Sequence, residues 1–86
     1  MSAESIRNSV RQYLLAEFLP GEDPAQLTDT TPLVTGGILD SIATMKLATF
    51  LEGEFSIELQ AHELSVDHLN TVATIVALVK EKQHGR

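Results

Sequence analysis

Apolar side chains that recur every three or four residues constrain the fold of this chain more than any other feature. The first such series comprises Ala3, Ile6, Val10, Tyr13, Leu14 and Phe18. At about 100° per residue, this spacing puts all six side chains on one face of a helix. Ser2 is a favourable N-cap, and Pro20 with Gly21 stops the helix. The pattern predicts a first helix over about residues 3–19.

A second series predicts a helix over about residues 40–55. Its core-facing stripe comprises Leu47, Leu51 and Phe55, flanked by Ala43, Thr44, Ala48 and Phe50. Asp40 is predicted to be the N-cap, because its carboxylate can accept hydrogen bonds from the free N–H groups of the first turn. The opposite side of the helical wheel carries a mixed set, which is Ile42, Met45, Lys46 and Thr49. Its two apolar members are either ordinary surface residues or part of a face that binds a partner.

A third series predicts the last helix, over about residues 70–82, with Asn70 and Thr71 as a cap pair. Its members are Val72, Ile75, Val76 and Val79. A short helix is expected over about residues 60–65. Residues 20–39 are rich in Pro, Gly, Asp and Thr and form a long loop. Its apolar residues are expected to pin it to the core, and they are Leu27, Leu33, Val34, Ile38 and Leu39.

These elements predict one all-α domain over residues 1–86, a small four-helix bundle with three principal helices, one short helix and a long first loop. So small a core leaves little room to enclose a substrate, which favours a binding or carrying role over catalysis. The absence of cysteine excludes disulfides and thiolate metal sites.

Charge and hydropathy exclude two classes of partner. The net charge of −6 repels phosphate backbones and anionic membranes, so neither a nucleic acid nor a membrane is expected to bind. No apolar run is long enough to span a bilayer, and the N-terminus lacks the pattern of a signal peptide. A cytoplasmic protein is therefore expected.

Ser41 has two interpretations. A serine in the first turn of a helix is usually only a helix-start residue. The functional interpretation is that its hydroxyl carries a phosphate, because a helix N-terminus directs free N–H groups and a positive dipole end at an anion. No histidine lies near Ser41 in the sequence, which argues against a catalytic nucleophile. His62 and His68 fit no common metal motif, and no metal site is predicted.

The segment from Leu33 to Ile42 reads Leu-Val-Thr-Gly-Gly-Ile-Leu-Asp-Ser-Ile and resembles the signature of acyl and peptidyl carrier proteins. That signature is a glycine, a short spacer, and then Asp-Ser followed by Leu, Ile or Met at the start of the second helix. The resemblance continues through the apolar stripe of that helix, through Glu-Gly-Glu-Phe at 52–55 and through Asn-Thr-Val at 70–72. It covers the chain from the first helix to Lys82.

The resemblance implies a non-catalytic four-helix carrier. Ser41, preceded by the motif residue Asp40, would receive 4′-phosphopantetheine from coenzyme A through a phosphopantetheinyl transferase. The thiol at the end of that arm would hold an acyl or aminoacyl group as a thioester, and the lack of cysteine agrees with a sulfur supplied by the cofactor. Other implied partners are an acyl- or aminoacyl-loading ligase, an acyltransferase and a downstream synthase. A monomer is expected.

The family's docking face on the second helix maps onto Ile42, Met45, Lys46, Thr49 and Glu52. This chain departs from fatty-acid-synthesis carriers, because it has an extra residue before Asp-Ser and has Ala43 and Lys46 where acids are usual. Those changes weaken attraction to basic docking patches. They favour stand-alone D-alanyl, aminoacyl, peptidyl or natural-product (polyketide or nonribosomal-type) carriers.

Three alternatives stay open at this point. One is a primary fatty-acid-synthesis carrier. A second is an acidic helical adaptor that binds a partner helix through Ile42 and Met45 and is never modified at Ser41. The third is a small hydrolase that uses Ser41 with His62 or His68, although the sequence offers neither a local base nor an oxyanion hole.

Overall fold

The computed structural model describes residues 2–84, and within that range every regular element is helical. The α-helices are, in chain order, α1 (Ala3–Phe18), α2 (Ser41–Phe55), α3 (Val66–Leu69) and α4 (Val72–His84). Two 3₁₀ turns, Pro24–Gln26 and Ala61–Leu64, lie in the connections. The all-α class and the small bundle are confirmed.

Two differences from the sequence prediction concern the segment before α4. The region predicted as a short helix over 60–65 is the 3₁₀ turn Ala61–Leu64, and the four-residue helix α3 follows it. The sequence predicts Asn70 and Thr71 as a cap pair, but only Thr71 caps α4. The Thr71 Oγ1 accepts the Thr74 N–H at 3.1 Å, and the Thr74 Oγ1 accepts the Thr71 N–H at 3.2 Å. The side chain of Asn70 instead contacts the first loop.

The predicted caps explain where α1 and α2 begin. The Ser5 N–H donates to Ser2 Oγ at 3.2 Å, so Ser2 is the N-cap of α1 as predicted. Asp40 caps α2 in the same way. At the other end of α2, Ser56 adopts a left-handed conformation with φ of 54°. Its N–H donates to the Glu52 carbonyl, which ends the helix.

The core is aliphatic apart from one phenylalanine, and the predicted stripes supply most of its helical members. Two residues differ from the prediction, because Ala3 is exposed and Leu78 is buried. Buried apolar side chains come from all four helices and both loops, and they are Ile6, Val10, Leu14, Leu27, Leu33, Leu39, Ala43, Leu47, Ala48, Leu51, Phe55, Ile57, Leu69, Val72, Ile75, Leu78 and Val79. Helix α1 packs mainly against α4. Between α1 and α2 the Tyr13 and Phe50 rings are stacked, with centroids 4.0 Å apart.

The long first loop is held along its length, as its apolar residues predicted. Leu27, Leu33 and Leu39 are buried. Arg7 of α1 pairs with Asp29 at 2.6 Å, and the Ala73 N–H of α4 donates to the Asp29 carbonyl at 3.1 Å. Through Asp29 the loop is therefore tied to both α1 and α4.

No helix within residues 2–84 combines the length and the apolar character that crossing a membrane requires.

Candidate functional site

The start of α2 presents Ser41 to solvent. Asp40 has an extended backbone, with φ of −91° and ψ of −172°, and its Oδ1 accepts the Ala43 N–H at 2.8 Å. The Asp40 carbonyl accepts the Thr44 N–H at 2.9 Å and the Thr44 hydroxyl at 2.8 Å. Ser41 is the first helical residue, its side chain is exposed, and no hydrogen bond within residues 2–84 engages its Oγ. The hydroxyl is therefore accessible on a capped helix start.

A glycine turn delivers the chain to this position. The Leu33 carbonyl accepts the N–H groups of Ile38 and Leu39, both at 2.9 Å. Gly37 has φ of +84°, a conformation that a side chain disfavours. Gly36 is needed for space, because a Cβ there would lie 2.2 Å from the Pro32 carbonyl oxygen. Both glycines of the motif are thus required, for different reasons.

A groove of about 530 Å³ lies beside the Ser41 hydroxyl, and we call it the Ser41 groove. Its lining residues are Val34, Leu39, Asp40, Ser41, Thr44, Met45 and Leu64. The first loop contributes one wall through Val34, and the 3₁₀ turn contributes the other through Leu64. Asp40, Ser41 and Met45 of the predicted site therefore meet in one place.

The predicted docking residues divide into two groups. Ile42 and Met45 are 70% and 56% exposed, as the helical wheel predicted, and Lys46 and Thr49 are also exposed. All four line a second, shallow groove of about 540 Å³ over the stacked Tyr13 and Phe50. We call these four residues the outer α2 face. No salt bridge within residues 2–84 engages Lys46.

Glu52 lies apart from the outer α2 face. Its side chain is half-buried, and its Oε2 accepts the Leu59 N–H at 2.9 Å. The carboxylate thus holds the segment that follows α2. Ala43, noted as a missing acid, is only 8% exposed and faces the core. Of the two positions where fatty-acid-synthesis carriers usually have an acid, only Lys46 therefore changes the charge of the exposed surface.

Sequence reasoning missed two residues that hold the walls of the Ser41 groove. Glu63 is only 7% exposed, and its Oε1 accepts the Gln60 N–H at 2.8 Å and the Lys82 Nζ at 2.9 Å. These two hydrogen bonds lower the pKa of the Glu63 carboxyl, the backbone one most strongly. Asn70 holds the wall that the first loop forms, because its Oδ1 accepts the Val34 N–H at 2.9 Å. The sequence predicts Asn70 as a helix cap and places Glu63 in the short helix over 60–65, and neither local pattern indicates a distant partner.

The histidines do not contribute to this site. Neither His62 nor His68 lines the Ser41 groove. Within residues 2–84 no group of three or more histidine and acidic side chains is arranged to hold a metal ion.

Comparison with known proteins identifies the class. Residues 10–79 match the family described as "Phosphopantetheine attachment site". The chain therefore belongs to this family, and it is a carrier protein with covalently attached 4′-phosphopantetheine.

Among its relatives are proteins named D-alanyl carrier protein from Streptococcus pyogenes serotype M5 (strain Manfredo) and serotype M1. Each is 40% identical to this chain over 64 residues, which cover 74% of this chain and 80% of the relative. The similarity supports a stand-alone carrier protein.

The residues at the start of α2 fit the group that the family carries. A phosphodiester at the Ser41 Oγ would lie at the positive end of a 15-residue helix. The Oδ1 of Asp40, the acid next to it, already accepts the Ala43 N–H. The exposed hydroxyl leaves room for an arm to extend into solvent or along the adjoining groove.

Proposed function

We propose that Ser41 bears the 4′-phosphopantetheine arm and that the chain presents an aminoacyl group, of the D-alanyl kind, to partner enzymes. The observation that carries the proposal is the exposed Ser41 hydroxyl on the capped helix start, next to an open groove. The D-alanyl carrier relatives support an aminoacyl cargo over a natural-product or fatty-acid intermediate. The exposed Lys46 also argues against fatty-acid enzymes that use basic docking patches.

Attachment of the arm requires a partner enzyme. The Ser41 oxygen would attack the β-phosphorus of coenzyme A, forming a phosphodiester while the pyrophosphate bond breaks and adenosine 3′,5′-bisphosphate leaves. The serine proton passes to a base of the transferase, because no hydrogen bond within residues 2–84 joins the Ser41 hydroxyl to a base of this chain. The arm then supplies a thiol that holds the aminoacyl group as a thioester. We infer that the chain catalyses neither step itself.

Partner enzymes would dock on the outer α2 face. Ile42 and Met45 are large apolar residues exposed within four positions of Ser41, and Lys46 adds one positive charge. An enzyme that reaches Ser41 must cover this surface, which supports the face as the common contact for a transferase, a loading ligase and a downstream acyltransferase or synthase. Glu52 would contribute at the margin, since its carboxylate is already engaged by the Leu59 N–H. We place the protein in the cytoplasm, where coenzyme A is available, as a monomer.

Intact-mass spectrometry tests the attachment site. Coexpression with a phosphopantetheinyl transferase should raise the mass by about 340 Da. Ser41→Ala should remove the whole increment while the chain stays folded, because the exposed side chain makes little packing contact. Ser5→Ala is the matched control, since Ser5 is also exposed in the first turn of a helix. An increment retained by Ser41→Ala, or lost from Ser5→Ala, would contradict the assignment.

A loading assay tests the cargo. The arm-bearing protein is incubated with ATP, D-alanine and a D-alanine–carrier ligase, and parallel reactions supply L-alanine or a fatty acid with its own ligase. We expect a D-alanyl adduct that hydroxylamine releases, as it does a thioester. Loading by the fatty acid alone would overturn the aminoacyl proposal and leave the Ser41 assignment unaffected.

A further inference from the structure

Asn70 lies between α3 and α4, and its side chain holds the loop that leads to Ser41. Its Oδ1 accepts the backbone N–H groups of Val34 at 2.9 Å and Thr35 at 3.0 Å. The Thr35 hydroxyl adds a longer hydrogen bond of 3.4 Å to the same atom. Two N–H donors require an acceptor, which the amide oxygen is and the amide nitrogen is not. One side-chain atom therefore satisfies two consecutive backbone groups of the loop.

A second contact of Asn70 comes from its backbone and survives substitution of the side chain. The Leu33 N–H donates to the Asn70 carbonyl at 2.6 Å, and the Leu33 side chain is fully buried. Removing the Asn70 amide therefore leaves the chain anchored at Leu33. It releases only the segment beyond, which begins at Val34.

The released segment borders the site of modification. Val34 lines the Ser41 groove, and residues 35–37 after it are exposed. Gly36 and Gly37 give this segment little stiffness of its own, because glycine has the widest backbone freedom. Within the segment, the Gly37 N–H donates to the Val34 carbonyl at 3.2 Å and closes a turn. The position of that turn against the bundle depends on the Asn70 oxygen and on the two bonds that the Leu33 carbonyl accepts.

We propose that Asn70 is a positioning residue for the modification of Ser41. It orders residues 34–37 before a partner enzyme arrives, so that binding does not have to restrict a mobile loop. The inference rests on the proposed attachment at Ser41. Asn70 does not line the Ser41 groove, so its loss should weaken partner binding and leave the chemical step nearly unchanged.

Transfer kinetics with a phosphopantetheinyl transferase and coenzyme A provide the test. Asn70→Leu removes the acceptor at nearly the same volume and should raise the KM for the carrier by about fivefold, with kcat within about twofold of wild type. Asn70→Asp retains oxygens that accept both N–H groups and should restore a KM near the wild-type value. Amide hydrogen exchange at Val34 and Thr35 should accelerate in Asn70→Leu and stay slow in Asn70→Asp.

The neighbouring residue offers a matched control. Thr71→Val removes the N-cap of α4 and should lower the urea midpoint of unfolding while leaving the hydrogen bonds of Val34 and Thr35 in place. Its KM should equal that of the wild type. An unchanged KM in Asn70→Leu, or an equal rise in Thr71→Val, would overturn the proposal.

A substitute variant and the mass of the wild-type chain separate the failure of this proposal from misfolding and from a wrong attachment site. If Asn70→Leu fails to fold, Asn70→Ser serves in its place, because it shortens the side chain without adding an apolar group. A wild-type chain that gains no mass at Ser41 would instead refute the attachment site. In that case, faster amide exchange at Val34 and Thr35 in Asn70→Leu would show only that Asn70 orders the loop. The proposed role in positioning Ser41 for modification would then be wrong.

Discussion

The two walls of the Ser41 groove are held by different chemistry. The loop wall, with Val34, depends on an uncharged amide oxygen of Asn70 that accepts two backbone N–H groups. The turn wall, with Leu64, depends on the neighbouring carboxylate of Glu63, which is buried and paired with Lys82 of α4 at 2.9 Å. Both ties run to the C-terminal third of the chain, and the start of α2 lies between them.

Because of this difference, the two walls should differ in how their stability depends on pH. Hydrogen bonds between neutral groups change little with pH, whereas a buried ion pair depends on the ionisation of its acid. Because the pKa of the Glu63 carboxyl is lowered, the group is charged and paired with Lys82 at neutral pH, and the turn wall is the acid-sensitive side. We therefore expect the two walls to respond independently to substitution and to acid.

The largest expected effect comes from breaking the turn wall. Lys82→Met leaves the buried Glu63 carboxylate with only the Gln60 N–H as a partner and should cost about 2 kcal/mol. Urea unfolding at neutral pH measures it. Lys80→Met is the matched control, since Lys80 lies on the same helix and takes part in no salt bridge within residues 2–84. Equal losses in the two variants would mean that the ion pair does not hold the wall.

The pH dependence of the free energy of unfolding should also distinguish the two walls, with a smaller effect than that of Lys82→Met. The pKa of Glu63 in the folded chain lies below its unfolded value of about 4.3, so the folded state binds fewer protons between the two values. Its contribution is complete above the unfolded pKa and is lost as pH falls through the folded one. Glu63→Gln should flatten this part of the stability profile, whereas Asn70→Leu should keep the wild-type slope. A Glu63→Gln profile parallel to that of the wild type would contradict this assignment.

The smallest effect on stability is expected between the walls, at Met45. Because Met45 is 56% exposed, Met45→Ala should change the free energy of unfolding by less than about 1 kcal/mol. It should nevertheless lower the rate of aminoacyl loading, because it removes an apolar contact from the outer α2 face. Met45→Leu preserves that contact and should load like wild type. Normal loading by Met45→Ala would place the docking surface elsewhere.

Much of the fold was predictable because its signals are local. The stripe of α1 and that of α2 involve residues three and four apart, and such spacing alone determines which side of a helix is apolar. Ser2 and Asp40 were recognised as caps for the same reason, since each bonds a backbone N–H three residues ahead. Helix α3 was missed because four residues are too few to show a period.

The sequence by itself determined α1, α2 and α4, the cap that presents Ser41, and the exposure of Ile42 and Met45, because those depend on neighbours within one or two helical turns. Only the tertiary structure decided what holds the groove. Asn70 contacts Val34 from 36 residues away, and Lys82 reaches Glu63 across 19. Such pairs form where packing of the buried core brings separate segments together, and no local pattern specifies which polar groups then meet.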